Sequence, residues 1–400
     1  MAIILGWLAA PWAQALTRIQ LPPTGLQPHE VAILVNDDDP LSRQVGIYYQ
    51  KARRIPDANL IRMHFTPGQD ALSKEQFIPL KAEIDRRTPS HVQAFAVAWT
   101  TPYRVGCMSL TSALALGYDE KYCSKTCGPT APSPYFNSTT QQPASQLGLR
   151  PAMMLAGTDF TQVKALIDRG VAADSTFPAG RAYLLNTSDK NRSVRATYFK
   201  ITAKEFGHAL PVEILDADAI ENRQDVLFYF TGLAVVPKLD TLRFLPGALA
   251  DHLTSAGGQL TGSSQMSSLR WLEAGATASY GTVVEPCNHL QKFPFPAIAM
   301  AHYLRGATAI EAYWKSVAWP GEGVFIGEPL AAPFAPAVKE IAPGQFELGL
   351  FSTGTGLLRG ASAGSPIGPF TPIPNGKMLQ PGPNLLRFTL PQEGYLRLEW

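Results

Sequence analysis

Apolar residues come in short unbroken runs separated by amphipathic stretches up to about residue 335, and in strict alternation beyond it. Residues 31–35 are a continuous apolar, largely β-branched run, the signature of a buried strand. The run ends in Asn36-Asp37-Asp38-Asp39-Pro40, and Ser42 is placed to cap an amphipathic helix through Arg53. Ile55-Pro56 closes that helix. A strand over 60–65, a helix over 74–86 and a strand over 94–99 follow. From 104 to 149 the pattern dissolves into Gly, Pro, Ser and Asn with three cysteines, which predicts a long irregular insertion.

A second series begins at Pro151. It predicts helices over 160–173 (capped at Thr158 or Asp159), 194–205, 262–273, 298–304 and 308–317. Strands are expected over 181–185, 211–215, 226–230, 243–250, 276–284 and 324–326. Strand and helix alternating through short links give a mostly parallel sheet with helices on both faces. After Pro336, short alternating stretches at 345–351, 384–390 and 394–400 lie among Gly and Pro, as in a small antiparallel sandwich. The expected organisation is an N-terminal α/β lobe over 28–150, a C-terminal α/β lobe over 151–335 and a β-rich domain over 336–400.

Composition narrows the class of function. The chain has 400 residues, 46% of them apolar and 16% charged, which suits packed domains and excludes disorder. The formal charge is only +2 with no basic stripe, so nucleic acid and anionic lipid lack their electrostatic footprint. Residues 2–15 are a short apolar run ending Ala13-Gln14-Ala15, which reads as a signal peptide over 1–15 with the mature chain starting near Leu16. No Lys or Arg precedes that run. No other stretch has the length of a membrane span, so the mature chain is expected to be periplasmic or secreted and without a transmembrane segment.

Export changes the meaning of the cysteines. Cys107, Cys123, Cys127 and Cys287 are an even set in an oxidising compartment, which favours disulfides over a zinc site; three pairings are open. Cys123 and Cys127, four apart, are placed to form a local staple.

In open parallel sheets, ligands bind beyond the carboxyl ends of the strands, so polar residues just after strands are the candidates. They are Asn36 and Asp37, Asp251-His252 with Ser255, Glu285 with Cys287 and His289, and Glu328. In an all-parallel sheet these four groups share one rim. The Asp37–Asp39 run suits a helix cap better than a cation site. Cys287 and His289, side by side if extended, suit a thiolate–imidazolium nucleophile, with His252 as a rival base. Ser255 lacks the Gly-x-Ser-x-Gly elbow. No Walker lysine or dinucleotide fingerprint is present, and no metal or cofactor is expected.

Several segments resemble a family of exported, uncharacterised bacterial proteins. They are Ile33-Leu34-Val35-Asn36 with Ser42, Tyr48-Tyr49 and Arg54-Ile55-Pro56; Tyr103-Arg104-Val105 with Cys107 to Thr111; and His252 to Ser255 with Gly257-Gly258. Gly281 to Cys287 with Lys292-Phe293-Pro294, and Gly327 to Leu330, complete the set. The order of the second series also resembles gingipain-type cysteine peptidases, a caspase-like α/β fold followed by a β-rich domain. That resemblance implies a strand ending in the base and the next ending in the nucleophilic cysteine. Here the two places hold Gly232-Leu233-Ala234 and Asp251. The expectation is therefore a peptidase-like fold without the usual dyad, binding an extracytoplasmic protein or glycan. The alternative is a divergent hydrolase built on Cys287, His252, His289 and Asp251.

Overall fold

Strand Val31–Asn36 (β1) is buried along its whole length and pairs in parallel with Leu60–Met63 (β2) and Ala94–Val97 (β3) in the computed structural model, which describes residues 18–390 and 394–400. The signal peptide expected over 1–15 lies outside the described residues. Ala152–Met154 (β4) adds parallel to β3. A second parallel run contains Arg181–Asn186 (β5), Val212–Asp216 (β6), Val226–Thr231 (β7), Phe244–His252 (β8) and Ala278–Thr282 (β9). Gly323–Gly327 (β10) joins the runs, antiparallel to β9 and touching β4 at the Ile326–Met154 pair. The result is one ten-stranded sheet in the order β6-β5-β7-β8-β9-β10-β4-β3-β1-β2, so both α/β series share it.

Alternation along a strand assigns side chains to faces. Val31, Ile33 and Val35 join the apolar cluster that holds Tyr303 and Trp314, while Ala32 and Leu34 join the one holding Phe77 and Ile84. Strands buried on both faces read as unbroken apolar runs, which is why they were visible in the sequence. Helix Pro40–Arg53 (α1) begins earlier than expected. Asp39, not Ser42, caps it, accepting from the Leu41 N–H at 2.9 Å, and Pro40 supplies a preset φ at the first turn. Ser42 is buried and its Oγ accepts from the Asn36 N–H at 2.8 Å. Helix Phe160–Ala173 (α2) falls at its expected bounds, capped by Asp159.

The helix expected over 262–273 is only Leu269–Ala274 (α3). The Gly- and Ser-rich stretch before it is a loop pressed onto β9, so close that a Cβ on Gly258 would lie 2.6 Å from the Gly281 carbonyl oxygen. The expected irregular insertion contains a short helix, Leu110–Leu116.

The carboxyl ends of both parallel runs lie on one rim. Thr261, in the loop after β8, donates to Asp70, in the loop after β2, at 2.5 Å. Because β10 runs against its neighbour β9, its end falls on the other rim. There Glu328 meets Arg53 at the end of α1, and Asp174 just past α2 joins the same guanidinium.

Beyond Pro336, Ala337–Ala342, Gln345–Ser352 and Gly382–Thr389 form one antiparallel sheet. Gly356–Ala363 and Tyr395–Glu399 belong to another, which Ile19–Gln20 extends in parallel. Phe346, Leu348, Leu358, Leu379 and Leu398 share one apolar cluster between them. Among the described residues, no helix is long and apolar enough to cross a membrane.

Candidate functional site

Strand β8 runs two residues past its expected end, so Asp251 and His252 are in the sheet, opposite Phe230 and Thr231 of β7. Successive residues of a strand face opposite ways. Asp251 follows Leu249 toward one helical layer, and His252 follows Ala248 and Ala250 toward the other, against Trp271. The two therefore do not form a catalytic pair.

Asp251 is 1% exposed, and its Oδ1 lies 2.6 Å from Nη1 of Arg195, itself 3% exposed. The same guanidinium donates through Nη2 to the Thr231 carbonyl at 2.6 Å and through Nη1 to the Pro294 carbonyl at 3.2 Å. Burial pushes the Asp251 carboxyl up to about 6, with Arg195 pulling the other way. This buried ion pair fills the space beneath the ends of β7 and β8. Arg195 carried no signal in the sequence, since a single Arg in an amphipathic stretch reads as a solvated helix face.

His252 is locked. Its Nδ1 accepts from the Trp271 indole N–H at 2.9 Å, so Nε2 carries the hydrogen and donates to the Met266 carbonyl at 3.1 Å. Burial pushes the imidazole down to about 3. Both nitrogens are occupied and the ring is 1% exposed, so His252 is not available as a base.

The disulfides are Cys107–Cys123 and Cys127–Cys287. The local Cys123–Cys127 staple does not form. Thr126 and Cys127 adopt left-handed backbone (φ 47° and 65°), the chain reverses there, and Cys127 reaches the loop after β9 instead. Cys287 is thus no nucleophile while that bond is closed. His289 donates through Nε2 to the Cys127 carbonyl at 2.6 Å, with its ring 5.7 Å from that of Trp319.

Above the sealed strand ends is an open polar cleft of about 360 Å³, lined by Asn191, Arg192, Thr254, Ser255, Glu285 and Asn288. Arg192 is held by its Nε–H to Thr254 Oγ1 at 3.0 Å and by Nη1 to Asp189 at 2.7 Å. Asn288 donates to the Asn191 carbonyl at 3.2 Å, and Glu285 accepts from the Cys287 N–H at 2.7 Å. Fixed donors and acceptors around an open concavity suit hydrogen-bonding ligands.

The other sequence candidates lie elsewhere. Asn36 and Asp37 are on the same rim, but β1 is five strand spacings from β8, on the order of 24 Å. Asn36 is buried and bridges loops, accepting from the Asp38 and Phe65 N–H groups and donating to the Phe65 carbonyl. Asp37 pairs with Arg62 at 2.6 Å, and Asp38 with His64 at 2.9 Å. Among the described residues, no group of three or more His, Cys, Asp or Glu is arranged to hold a metal ion. Glu328 is fully buried on the opposite rim, bound through both oxygens by Arg53, and is a packing element.

Neither a protein-family model nor a curated protein matches the chain. A solved structure described as "Structure of Protease" aligns over 91% of this chain and 97% of its own, at 11% identity and a TM-score of 0.42. So loose a likeness bears no weight for fold or activity.

Proposed function

We propose that the chain is an exported binding protein built on a peptidase-like α/β scaffold that has lost its catalytic dyad. On this reading the two α/β lobes carry one shared sheet, the region after Pro336 is a β-sandwich, and the polar cleft at the ends of β8 and β9 takes an extracytoplasmic glycan or protein segment. The observation that carries the proposal is the Arg195–Asp251 pair, buried at the ends of β7 and β8, the strands after which the gingipain resemblance implies a base and a nucleophile. Supporting it, the second run has the strand order 2-1-3-4-5-6 in chain order with the last strand antiparallel, a mostly parallel sheet of the kind the resemblance implies. Two disulfides across the insertion suit an oxidising compartment.

Ser255, Glu285, Asn288 and Arg192 are the residues assigned to ligand contact. The test is to screen the oxidised mature protein against oligosaccharide and peptide arrays, beside a Glu285→Ala, Asn288→Ala variant of equal thermal stability. The proposal expects ligands that bind the parent and not the variant. Cleavage of a peptide library by oxidised protein, unaffected by that double substitution, would overturn it.

A further inference from the structure

One residue covers both reactive groups of the loop after β9. The Cys127 sulfur is bonded to Cys287, and the Cys127 carbonyl accepts from His289 Nε2 at 2.6 Å. The two disulfides differ in setting. Cys107 and Cys123 are half-buried against the apolar cluster of Phe77, Leu110 and Tyr122, and Cys107 lies 3.5 Å from the Tyr118 hydroxyl. Cys127 is exposed, and Thr126, Cys127 and Cys287 all have left-handed backbone, at φ 47°, 65° and 54°. Such non-glycine conformations are strained and persist only where something holds them. Exposed, strained disulfides are the ones that exchange.

We propose that Cys127–Cys287 is a thiol-exchange site, and that opening it with a dithiol reductant uncovers Cys287, which lines the cleft, together with the neighbouring His289 as a thiol–imidazole pair. A thiolate of the reductant attacks the exposed Cys127 sulfur, forming a mixed disulfide and releasing Cys287 as a thiolate. The second thiol of the reductant attacks the mixed disulfide, closing the reductant's own disulfide and releasing Cys127. Two electrons pass from the reductant to the protein, and its two thiol protons end on Cys127 and Cys287. Withdrawal of Cys127 also removes the carbonyl from His289, whose ring keeps its place beside Trp319. The groups that Cys127 held lie within the span of that one residue, and Arg192 and Glu285 are the charges lining the same cleft. The inference goes beyond the binding proposal and does not depend on which ligand the cleft takes.

Two measurements on the full mature chain test it. In dithiothreitol redox buffers, followed by iodoacetamide trapping and peptide mass analysis, Cys127 and Cys287 should be alkylated while Cys107 and Cys123 remain joined. Simultaneous opening, or opening of Cys107–Cys123 first, overturns the exchange site. In C127S, Cys287 is permanently free. Its alkylation at pH 7 in the folded protein should slow by about tenfold in C127S/H289Q and not in C127S/E285Q, since an adjacent imidazolium raises the thiolate fraction. Equal rates with and without His289, or no labelling until unfolding, overturn the thiol–imidazole pair. If C127S does not fold, selectively reduced parent and H289Q proteins give the same comparison.

Discussion

Replacing Arg195 by Met tests the central feature of the site, the charge sealed under β7 and β8. The guanidinium is the charged partner of Asp251 at 2.6 Å, and both side chains are nearly excluded from water. Removing one member of such a pair strands the other charge, at about 3–5 kcal/mol. Asp251 has an escape, however, because its carboxyl is already pushed up to about 6 by burial, against roughly 3.9 in an unfolded chain. A carboxyl raised in the folded state contributes stability that is present at low pH and lost as pH rises through the folded pKa. In the parent this window runs from about pH 4 to about 6. In R195M the carboxyl rises further, so the loss continues above pH 6 at up to about 1.4 kcal/mol per pH unit. Urea unfolding at pH 5.5, 7 and 8 should show R195M nearer to the parent at pH 5.5 and about 3–5 kcal/mol weaker at pH 8. R195M/D251L, with no stranded charge, should recover most of that loss. An R195M penalty that is the same at every pH, or a double variant no better than the single, would refute the argument.

Three further outcomes follow from the same geometry. His252, pushed down to about 3, refuses a proton that the unfolded chain accepts below about pH 6.5, so it lowers stability as pH falls through that range by up to about 1.4 kcal/mol per unit. Asp251 acts oppositely below pH 6, so the difference between H252Q and parent unfolding curves, not the parent curve alone, should carry the histidine slope; a pH-independent difference would contradict it. Removing Cys127–Cys287, with its sequence separation of 160, should cost up to about 5 kcal/mol in denaturant, against about 3 kcal/mol for Cys107–Cys123, with a separation of 16. The reverse ranking would show that local packing outweighs chain entropy. Glu328→Ala leaves Arg53 with Asp174 alone and should destabilise by about 3–5 kcal/mol while leaving ligand affinity at the cleft unchanged. Altered affinity at equal folded fraction would tie the two rims together.

The sheet was legible in the sequence because its strands are buried on both faces, and unbroken runs such as 31–35 and 226–230 mark themselves. Helix α2 was legible because Asp159 and its 3.6-residue apolar stripe agree. What escaped were features set by partners distant in sequence. The end of β8 was hidden because Asp251 and His252 look like loop residues until Arg195, 56 positions earlier, and Trp271 neutralise them. The helix expected from 262 begins only at Leu269, after a stretch whose Gly258 is pressed onto β9.

The direction of one strand decided the fate of Glu328. In an all-parallel sheet Glu328 would join Asp251 and Glu285 on a single acidic rim, a setting that favours cations. With β10 antiparallel to β9, Glu328 passes to the far rim and takes Arg53 as its partner. In the cleft Arg192 is already paired with Asp189 and Glu285 accepts from the Cys287 N–H, among the amides and hydroxyls of Asn191, Thr254, Ser255 and Asn288. A polar surface whose charged groups are already engaged favours ligands that offer many neutral hydrogen bonds. On the binding proposal, a glycan or an extended peptide segment, whose groups both donate and accept, is the ligand expected here rather than a metal or a phosphate. Charge patterning, more than any catalytic residue, distinguishes the present site from the one the sequence suggested.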